Sequence, residues 1–172
     1  MERYWIGLGA NLGDRRAAIQ AALERLAAAG HDVEAVSGLY ETAPRDLADQ
    51  PPFLNAAARV RSALGPRDML AALKALEAGL GRDPGGVRFG PRAVDCDILL
   101  REGGPWRDEA LEIPHPRLAE RRFALVPLLD LDPGLALPDG RGVAALAAAI
   151  DPAAQPVRRV EPGLRRPGAP GG

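Results

Sequence analysis

The stretch Val94-Asp95-Cys96-Asp97-Ile98-Leu99-Leu100 ends the series of predicted strands and carries two carboxylates in an apolar segment. Side chains alternate between the two faces of a strand, so Asp95 and Asp97 point the same way, with Cα atoms roughly 7 Å apart. Such carboxylates repel each other unless a cation lies between them. Mg²⁺ is often bound by one or two carboxylates plus substrate phosphates, and the guanidinium of Arg92 matches phosphate geometry. The residues indicate a metal-assisted phosphate site, or alternatively an aspartate pair in salt bridges with Arg88 and Arg92.

Up to this strand, the predicted elements follow the order β-α-β-β-α-β. The strands cover residues 4–8, 33–42 and 53–62 and the stretch above, and the helices run over about 14–29 and 66–80. Asp14 suits the N-cap of the first helix, Gly30 suits its end, and Pro66 suits the first turn of the second. This order predicts an α+β protein with a ferredoxin-like βαββαβ core, in which helices pack on a mainly antiparallel sheet.

A C-terminal extension follows the predicted core. Helices are predicted around residues 117–129 and over 143–150. In the last stretch, 161–172, seven of the 12 residues are Pro or Gly, which is typical of a disordered tail. We therefore expect one domain over 1–160 and a disordered tail over 161–172.

The overall charge and composition limit the kinds of molecule that the protein is expected to bind. The net charge of −1 gives no overall attraction to nucleic acid or to an anionic membrane. The N-terminus lacks the pattern of a signal peptide, and no apolar run approaches the roughly 20 residues of a membrane span. The single cysteine, Cys96, excludes an internal disulfide and a cysteine-based zinc cluster. We expect a cytoplasmic monomer that binds neither nucleic acid nor membrane.

The glycine-rich segment Gly7-Leu8-Gly9-Ala10-Asn11-Leu12-Gly13 follows a predicted strand and precedes a helix. It suggests a dinucleotide site, but Leu12 stands where the third glycine of that motif would fall. A tight turn that lets the backbone approach a ligand or a neighbouring loop is the better interpretation. The only lysine, Lys74, precedes Ala75, which excludes a Walker A loop. Phosphates must therefore be bound by arginines and a metal.

Several further side chains are candidates for ligand contacts. The arginines near the aspartate strand are Arg82, Arg88, Arg92, Arg121 and Arg122, although each could also be a solvated surface charge. His115 is held between two prolines, which suits either a ligand contact or a structural turn. Phe53 and Phe123 could pack in the core or stack on a flat ligand.

Taken together, separate segments of the chain resemble the 6-hydroxymethyl-7,8-dihydropterin pyrophosphokinases, a family of folate biosynthesis. The matching segments, in the family's order and spacing, are Gly7-Leu8-Gly9-Ala10-Asn11-Leu12-Gly13, Tyr40-Glu41-Thr42-Ala43-Pro44, Gln50-Pro51-Pro52-Phe53-Leu54-Asn55, Phe89-Gly90-Pro91-Arg92-Ala93-Val94-Asp95-Cys96-Asp97-Ile98-Leu99, Ile113-Pro114-His115-Pro116 and Arg121-Arg122-Phe123. The resemblance extends from Tyr4 to about Asp139, and its part from Gly90 to Leu99 is highly specific.

The resemblance implies an ATP-dependent diphosphotransferase. Enzymes of this family transfer the β,γ-pyrophosphoryl group of ATP to the hydroxymethyl oxygen of the reduced pterin and release AMP. Two Mg²⁺ ions would be bound by Asp95 and Asp97, which agrees with the general two-metal arrangement for clamping attacking and leaving oxygens. ATP and 6-hydroxymethyl-7,8-dihydropterin are the implied partners.

The same resemblance implies the other site residues. The catalytic set would be Arg82, Arg92, Asp95 and Asp97. The ATP-binding set would be Glu77, Arg82, Arg92, Ile98, His115 and Arg121. The pterin-binding set would be Thr42, Ala43, Phe53, Asn55, Asp95 and Phe123. In this arrangement, the pterin stacks between the two phenylalanines and hydrogen-bonds to Asn55.

The sequence departs from the family pattern at a few positions. Phe89 stands where the family often has tryptophan, and Pro84 stands where a second loop arginine is often found. Near Ala110 and Glu112, the basic and hydroxyl residues that some members use for the nucleotide are absent. The alternative nucleotide contacts are Arg107, Arg117 and Arg122.

Two other functions are compatible with parts of the sequence pattern. A βαββαβ fold can bind RNA through aromatic side chains on its sheet. The isoelectric point of about 6.1 and the lack of a basic and aromatic strand pattern argue against RNA binding. A dinucleotide oxidoreductase is disfavoured by the glycine spacing, and both alternatives leave Asp95 and Asp97 without a role.

Overall fold

The computed structural model of the chain describes residues 1–43, 51–81 and 94–168. In these residues the strands are β1 (Glu2–Ala10), β2 (Asp32–Val36), β3 (Leu39–Thr42), β4 (Phe53–Ser62), β5 (Asp95–Arg101), β6 (Trp106–Arg107), β7 (Glu112–Ile113) and β8 (Val157–Val160). The helices are α1 (Arg15–Ala28), α2 (Pro66–Gly81), a 3₁₀ helix (Leu118–Glu120), α3 (Arg122–Leu131) and α4 (Val143–Ala148).

The main sheet confirms the predicted ferredoxin-like core. Its strand order is β5-β1-β4-β3-β8, and β2 also pairs with β4. All of these pairings are antiparallel. The strand β4 therefore lies between β1 and the β2–β3 pair, and β5 lies on the other side of β1, as the split β-α-β arrangement requires.

Helix α1 forms as its sequence predicts. The Asp14 carboxylate accepts a hydrogen bond from the backbone N–H of Ala17 and so caps the first turn. Gly30 has a φ of 94° just after the helix, a conformation that favours glycine. Its buried face includes the apolar side chains Ile19, Ala22, Leu23 and Leu26.

The predicted strand over 33–42 is divided into β2 and β3, with a break at Ser37 and Gly38. The backbone N–H of Ser37 donates to the carbonyl of Ala57, and the Ser37 hydroxyl accepts from the N–H of Ala57. A serine side chain therefore takes the place of a backbone acceptor in the ladder. Both short strands pair with β4 on either side of this break.

The predicted helix over 117–129 is also divided. Arg121 has an extended backbone, with φ −114° and ψ 97°, between the 3₁₀ helix and α3. The backbone N–H of Arg122 donates to the side chain of Gln155 rather than to a helical carbonyl. This contact from a distant segment accounts for the break, and sequence periodicity gives no sign of it.

The sheet separates two hydrophobic cores. One face packs against α1 and α2 through side chains such as Ile6, Leu23 and Leu73. The other face packs against α3 and α4 through side chains such as Trp5 and Leu125. Since α3 and α4 cover only part of the second face, the remainder of that face is available for a cleft.

A polar contact holds the end of α3 on the sheet. The carboxylate of Asp132 accepts a 2.8 Å hydrogen bond from the indole N–H of Trp5 and a 2.9 Å bond from Arg59. Arg59 also pairs with Glu34, whose pKa is lowered from its ordinary value because hydrogen bonds and positive charge from Arg3 and Arg59 outweigh burial. The contacts fix α3 relative to β1 and β4.

A disordered tail is expected over 161–172, and this stays a prediction for the stretch as a whole. Of this stretch the structure describes 161–168, which lie along α1. The side-chain amide of Gln20 bonds to both the N–H and the carbonyl of Arg165, and Arg16 donates to the carbonyl of Gly163. Among the described residues, no helix has the length and apolarity needed to cross a membrane.

Candidate active site

A cleft of about 240 Å³ lies on the sheet face that carries α3. It is bordered by β1 and β5, by the ends of β3 and β4, and by the segment from β7 to α3. Its lining includes Gly7, Gly9, Thr42, Ala43, Phe53, Asn55, Asp95, Asp97, Leu99, His115, Arg117, Arg121 and Phe123. The structure thus brings most of the predicted site residues into one cleft.

The floor of the cleft is formed by two glycines of β1. Gly7 pairs with Asp97 and Gly9 with Asp95 across the β1–β5 ladder. A Cβ atom at Gly9 would lie 3.1 Å from the Asn55 Oδ1 atom, and one at Gly7 would lie 3.2 Å from a Leu99 methyl. Gly7 and Gly9 lie within β1, so the tight turn expected of the segment from Gly7 to Gly13 is found only after Ala10, where Gly13 has a φ of 61°.

The two aspartates lie on one face of β5, as their spacing predicted. Both Asp95 and Asp97 line the cleft, whereas Cys96 between them is buried on the opposite face. Burial raises the pKa of the Cys96 thiol far above its ordinary value, and the nearby Glu77 carboxylate adds to this effect. The thiol is therefore an inert core group, and the carboxylates alone face the cleft from this part of the strand.

Glu77, predicted to lie near the nucleoside, has a different environment. Its side chain on α2 is buried, with 1% of the residue exposed, and one carboxylate oxygen accepts a 2.8 Å bond from the Cys96 N–H. Lys74 contacts the same carboxylate from the solvent side. Glu77 is not among the cleft-lining residues, so in this structure it supports the backbone of β5 from behind.

His115 lies at the edge of the cleft near Asp97. Its Nδ1 atom accepts a 3.2 Å hydrogen bond from the Arg117 N–H, which leaves the proton of the neutral ring on Nε2. Burial lowers the pKa of His115 from its ordinary value; Asp97 opposes this shift, and Arg121 and Arg117 reinforce it. His115 is therefore a neutral hydrogen-bond donor near neutral pH.

Arg121 and Phe123, at the start of α3, form one wall of the cleft. The guanidinium carbon of Arg121 lies 5.7 Å from the centre of the Phe123 ring, within cation–π range. Because the backbone is extended at Arg121, this side chain and Phe123 both reach the cleft.

A second wall of the cleft is formed by the start of β4 and the end of β3, and it carries polar side chains. Phe53 begins β4, and Asn55 lies two residues further on the same face. The Asn55 amide donates a 2.7 Å hydrogen bond to the Thr42 hydroxyl on β3. Ala43 follows Thr42 and completes this wall.

Three other predicted residues remain to be located. Arg82 and Arg92 lie outside the described residues. Ile98 is buried in the core beneath α1 and α2, so only its backbone could approach a ligand. Of the alternative arginines, Arg117 lines the cleft, whereas Arg122 donates to the carbonyl of Gln155.

The donor set suits magnesium assisted by a phosphate ligand. Over residues 1–43, 51–81 and 94–168, no group of three His, Cys, Asp or Glu side chains could hold a metal ion alone. Asp95 and Asp97 supply two carboxylates on one face, and Mg²⁺ commonly takes its remaining ligands from phosphates and water.

The fold and the cleft define a ferredoxin-like enzyme with a carboxylate pair at its site. The model of the family described as 7,8-dihydro-6-hydroxymethylpterin-pyrophosphokinase (HPPK) matches residues 5–133. The chain belongs to this family, which confirms the resemblance found in the sequence.

Individual relatives agree with this assignment. The chain is 41% identical over 162 residues to a 2-amino-4-hydroxy-6-hydroxymethyldihydropteridine pyrophosphokinase of Methylorubrum extorquens, covering 94% of this chain and 100% of that protein. It is 44% identical over 130 residues to a mitochondrial folate synthesis bifunctional protein of Pisum sativum. That match covers 76% of this chain, which spans only 25% of the pea protein.

A solved structure agrees in fold. An HPPK-DHPS crystallised in complex with substrates has a TM-score of 0.68 and 13% identity. The match covers 86% of this chain and 43% of that one. At this identity, the likeness supports the ferredoxin-like fold alone.

Proposed function

We propose that the protein transfers the pyrophosphoryl group of ATP to the hydroxymethyl group of 6-hydroxymethyl-7,8-dihydropterin, giving the pterin diphosphate and AMP in folate biosynthesis. The observation that carries the proposal is the position of Asp95 and Asp97. They lie on one face of β5, in a cleft that is also lined by aromatic, cationic and polar side chains. Family membership agrees with this chemistry.

The pterin is proposed to occupy the end of the cleft between Phe53 and Phe123. Both rings line the cleft, and stacking on aromatic faces suits a flat heterocycle. Asn55 and the residues Thr42 and Ala43 would hydrogen-bond to the edge of the pterin. The absence of side chains at Gly7 and Gly9 leaves room for the ring on the sheet.

The phosphates of ATP are proposed to lie nearer than the pterin to β5 and Arg121. Arg121 supplies a fixed positive charge, and His115 supplies an N–H donor from Nε2. Arg82 and Arg92 complete the phosphate contacts in the proposal and belong to the catalytic set. Glu77 and Ile98 would contact the nucleoside only through backbone atoms near them, because both side chains are buried.

Asp95 and Asp97 would hold Mg²⁺, and we propose two ions. When bound, the ions would neutralise phosphate charge and polarise the attacking and leaving oxygens. The protein itself orients the hydroxymethyl oxygen toward the β-phosphorus and excludes water from the stacked ring. A bond forms between that oxygen and the β-phosphorus, the bond from the β-phosphorus to the α-phosphate oxygen breaks, and the hydroxyl proton is released.

Nucleotide product analysis tests the proposal. The protein is incubated with ATP, Mg²⁺ and the pterin, and the nucleotides are separated by chromatography. We expect AMP that depends on the pterin, and at least a thousandfold less of it from Asp97→Asn, whereas Asp32→Asn on the distant, exposed end of β2 should resemble the wild type. ADP in place of AMP would contradict pyrophosphoryl transfer, and near-normal activity of Asp97→Asn would contradict the role of the carboxylate pair.

The remaining expectations stay predictions. These are a cytoplasmic location, a monomeric state, and a lack of binding to nucleic acid and membranes. Size-exclusion chromatography with light scattering tests the monomeric state directly.

A further inference from the structure

Gln155 connects the C-terminal segment to the candidate active site. It lies beyond residues 5–133, the part of the chain that matches the family. Its Oε1 atom accepts a 2.9 Å hydrogen bond from the N–H of Arg122, and its Nε2 atom donates a 2.9 Å bond to the carbonyl of Glu120. One side chain therefore bonds to the backbone on both sides of Arg121.

Two further contacts make Gln155 a firm anchor. Its own carbonyl accepts a 3.1 Å bond from the guanidinium of Arg122. Its backbone N–H donates to the carbonyl of Asp151 in the turn after α4. The first N–H groups of a helix lack partners within the helix, so the bond to Arg122 supplies from a distant segment what a local cap usually supplies.

The same segment also holds the opposite wall. β8 begins two residues after Gln155 and pairs with β3, and Val157 is the partner of Thr42. A second cavity of about 270 Å³ lies along this connection and shares Thr42 and Phe123 with the main cleft. Residues 155–157 thus link the wall that carries Thr42 to the wall that carries Phe123.

We propose that Gln155 is a positioning residue for the pterin: by holding the backbone on both sides of Arg121, it fixes the Phe123 ring relative to the Thr42 wall and so sets the width of the pterin end of the cleft. This inference rests on the proposed function, because it takes the pterin as the ligand that Phe123 contacts.

The chain offers a matched control at Gln20. The Gln20 side chain also accepts a 2.9 Å bond from a backbone N–H and donates a 2.9 Å bond to a backbone carbonyl, both of Arg165. It lies on α1, across the sheet from the cleft. Each of the variants Gln155→Met and Gln20→Met therefore removes one accepted and one donated hydrogen bond while the side-chain volume stays nearly constant. The bonds of Gln155 lie beside the cleft, and those of Gln20 lie far from it.

The experiment measures binding of 6-hydroxymethyl-7,8-dihydropterin by calorimetry, in the presence of Mg²⁺ and a non-hydrolysable ATP analogue so that no turnover occurs. We expect Gln155→Met to weaken pterin binding about three- to tenfold, and Gln20→Met to change it by less than about twofold. Both variants should lower the thermal midpoint of unfolding to a similar extent. Equal pterin affinities for the two variants would overturn the proposal.

A double-mutant cycle distinguishes positioning from general stability. If Gln155 acts through the Phe123 ring, Gln155→Met should have no further effect on pterin binding in a Phe123→Ala background. Additive losses would overturn the proposal. If Gln155→Met does not fold, Gln155→Glu keeps the acceptor for Arg122 but sets a carboxylate oxygen against the Glu120 carbonyl, and the same non-additivity is expected.

Backbone hydrogen exchange separates this inference from the proposed function. In Gln155→Met, the amides of 122–125 should exchange faster than in the wild type, whether or not the pterin is the ligand. Faster exchange together with a wild type that binds no pterin would overturn the proposed function and leave the anchoring role intact. Unchanged exchange would overturn the anchoring role itself.

Discussion

The side-chain amide of Asn55 donates a 2.7 Å hydrogen bond to the hydroxyl of Thr42, and both residues are buried at the edge of the cleft. Because this bond uses an N–H of Asn55, it fixes the orientation of the side chain. The Oδ1 atom then lies over Gly9, where a Cβ atom would be only 3.1 Å away. The pair therefore presents a fixed acceptor to a flat ligand lying on the sheet.

Replacement of Thr42 by valine tests this orientation, because valine keeps the shape of threonine but lacks the hydroxyl. We expect Thr42→Val to weaken pterin binding about three- to tenfold, since the Asn55 amide loses the partner that fixes it. Calorimetric titration with the pterin measures the change. Nucleotide affinity, measured separately, should stay within about twofold, and an unchanged pterin affinity would show that the bond does not orient Asn55 for binding.

The glycine floor gives a second prediction. A methyl group at residue 9 would approach the Asn55 oxygen and occupy space above the sheet, so Gly9→Ala should weaken pterin binding at least about tenfold. Gly65→Ala is a suitable control, because a Cβ atom there would meet nothing within 4 Å. If the two variants bind the pterin equally well, the floor of the cleft is not the surface on which the ring lies.

The two histidines of the chain, His31 and His115, give a pH prediction with a definite sign. Burial lowers the pKa of both imidazoles below the value of about 6.5 found in unfolded chains. Just below pH 6.5 the unfolded chain therefore binds more protons than the folded chain, so stability increases with pH in this range. The stabilisation is complete above about pH 6.5 and is lost as the pH falls toward the folded pKa values.

Urea unfolding at several pH values between 7.5 and 5.5 measures this effect. We expect His115→Gln to reduce the slope of unfolding free energy against pH over this range and also to weaken ATP binding. His31→Gln should reduce the slope alone, because His31 bonds to Ser62 and does not line the cleft. A slope that neither substitution changes would rule out the histidines as its origin.

We expect the contact of Asp132 with Trp5 and Arg59 to contribute to the stability of the fold but not to catalysis. Asp132→Ala leaves the indole N–H and the guanidinium without this acceptor, and we expect a loss of about 1–2 kcal/mol in the free energy of unfolding. Urea titration measures the loss, and Asp32→Ala at the exposed first residue of β2 serves as control. A large rise in the KM for either substrate would show instead that the end of α3 controls the cleft.

Local sequence patterns predicted most of the core elements because they depend on neighbouring residues. The period-two alternation of β5 placed Asp95 and Asp97 on one face, and the N-cap residue Asp14 and the terminating Gly30 marked the two ends of α1. The role of Gly7 and Gly9 could have been found from the same alternation, since they are two residues apart on a strand. The turn interpretation holds only for the end of that segment, at Gly13, because glycine also occurs inside strands where another group approaches the backbone closely.

The break at Arg121 could not be predicted in this way. It depends on Gln155, more than 30 residues further along the chain, and the burial of Glu77 behind Cys96 depends likewise on how α2 packs on β5. By itself, the sequence determined the βαββαβ order of the core, the carboxylate pair and the family resemblance, because short-range periodicity and residue chemistry encode them. Only the tertiary structure decided which walls face each other and which side chains reach the cleft, because those distances come from packing between segments that are remote in sequence.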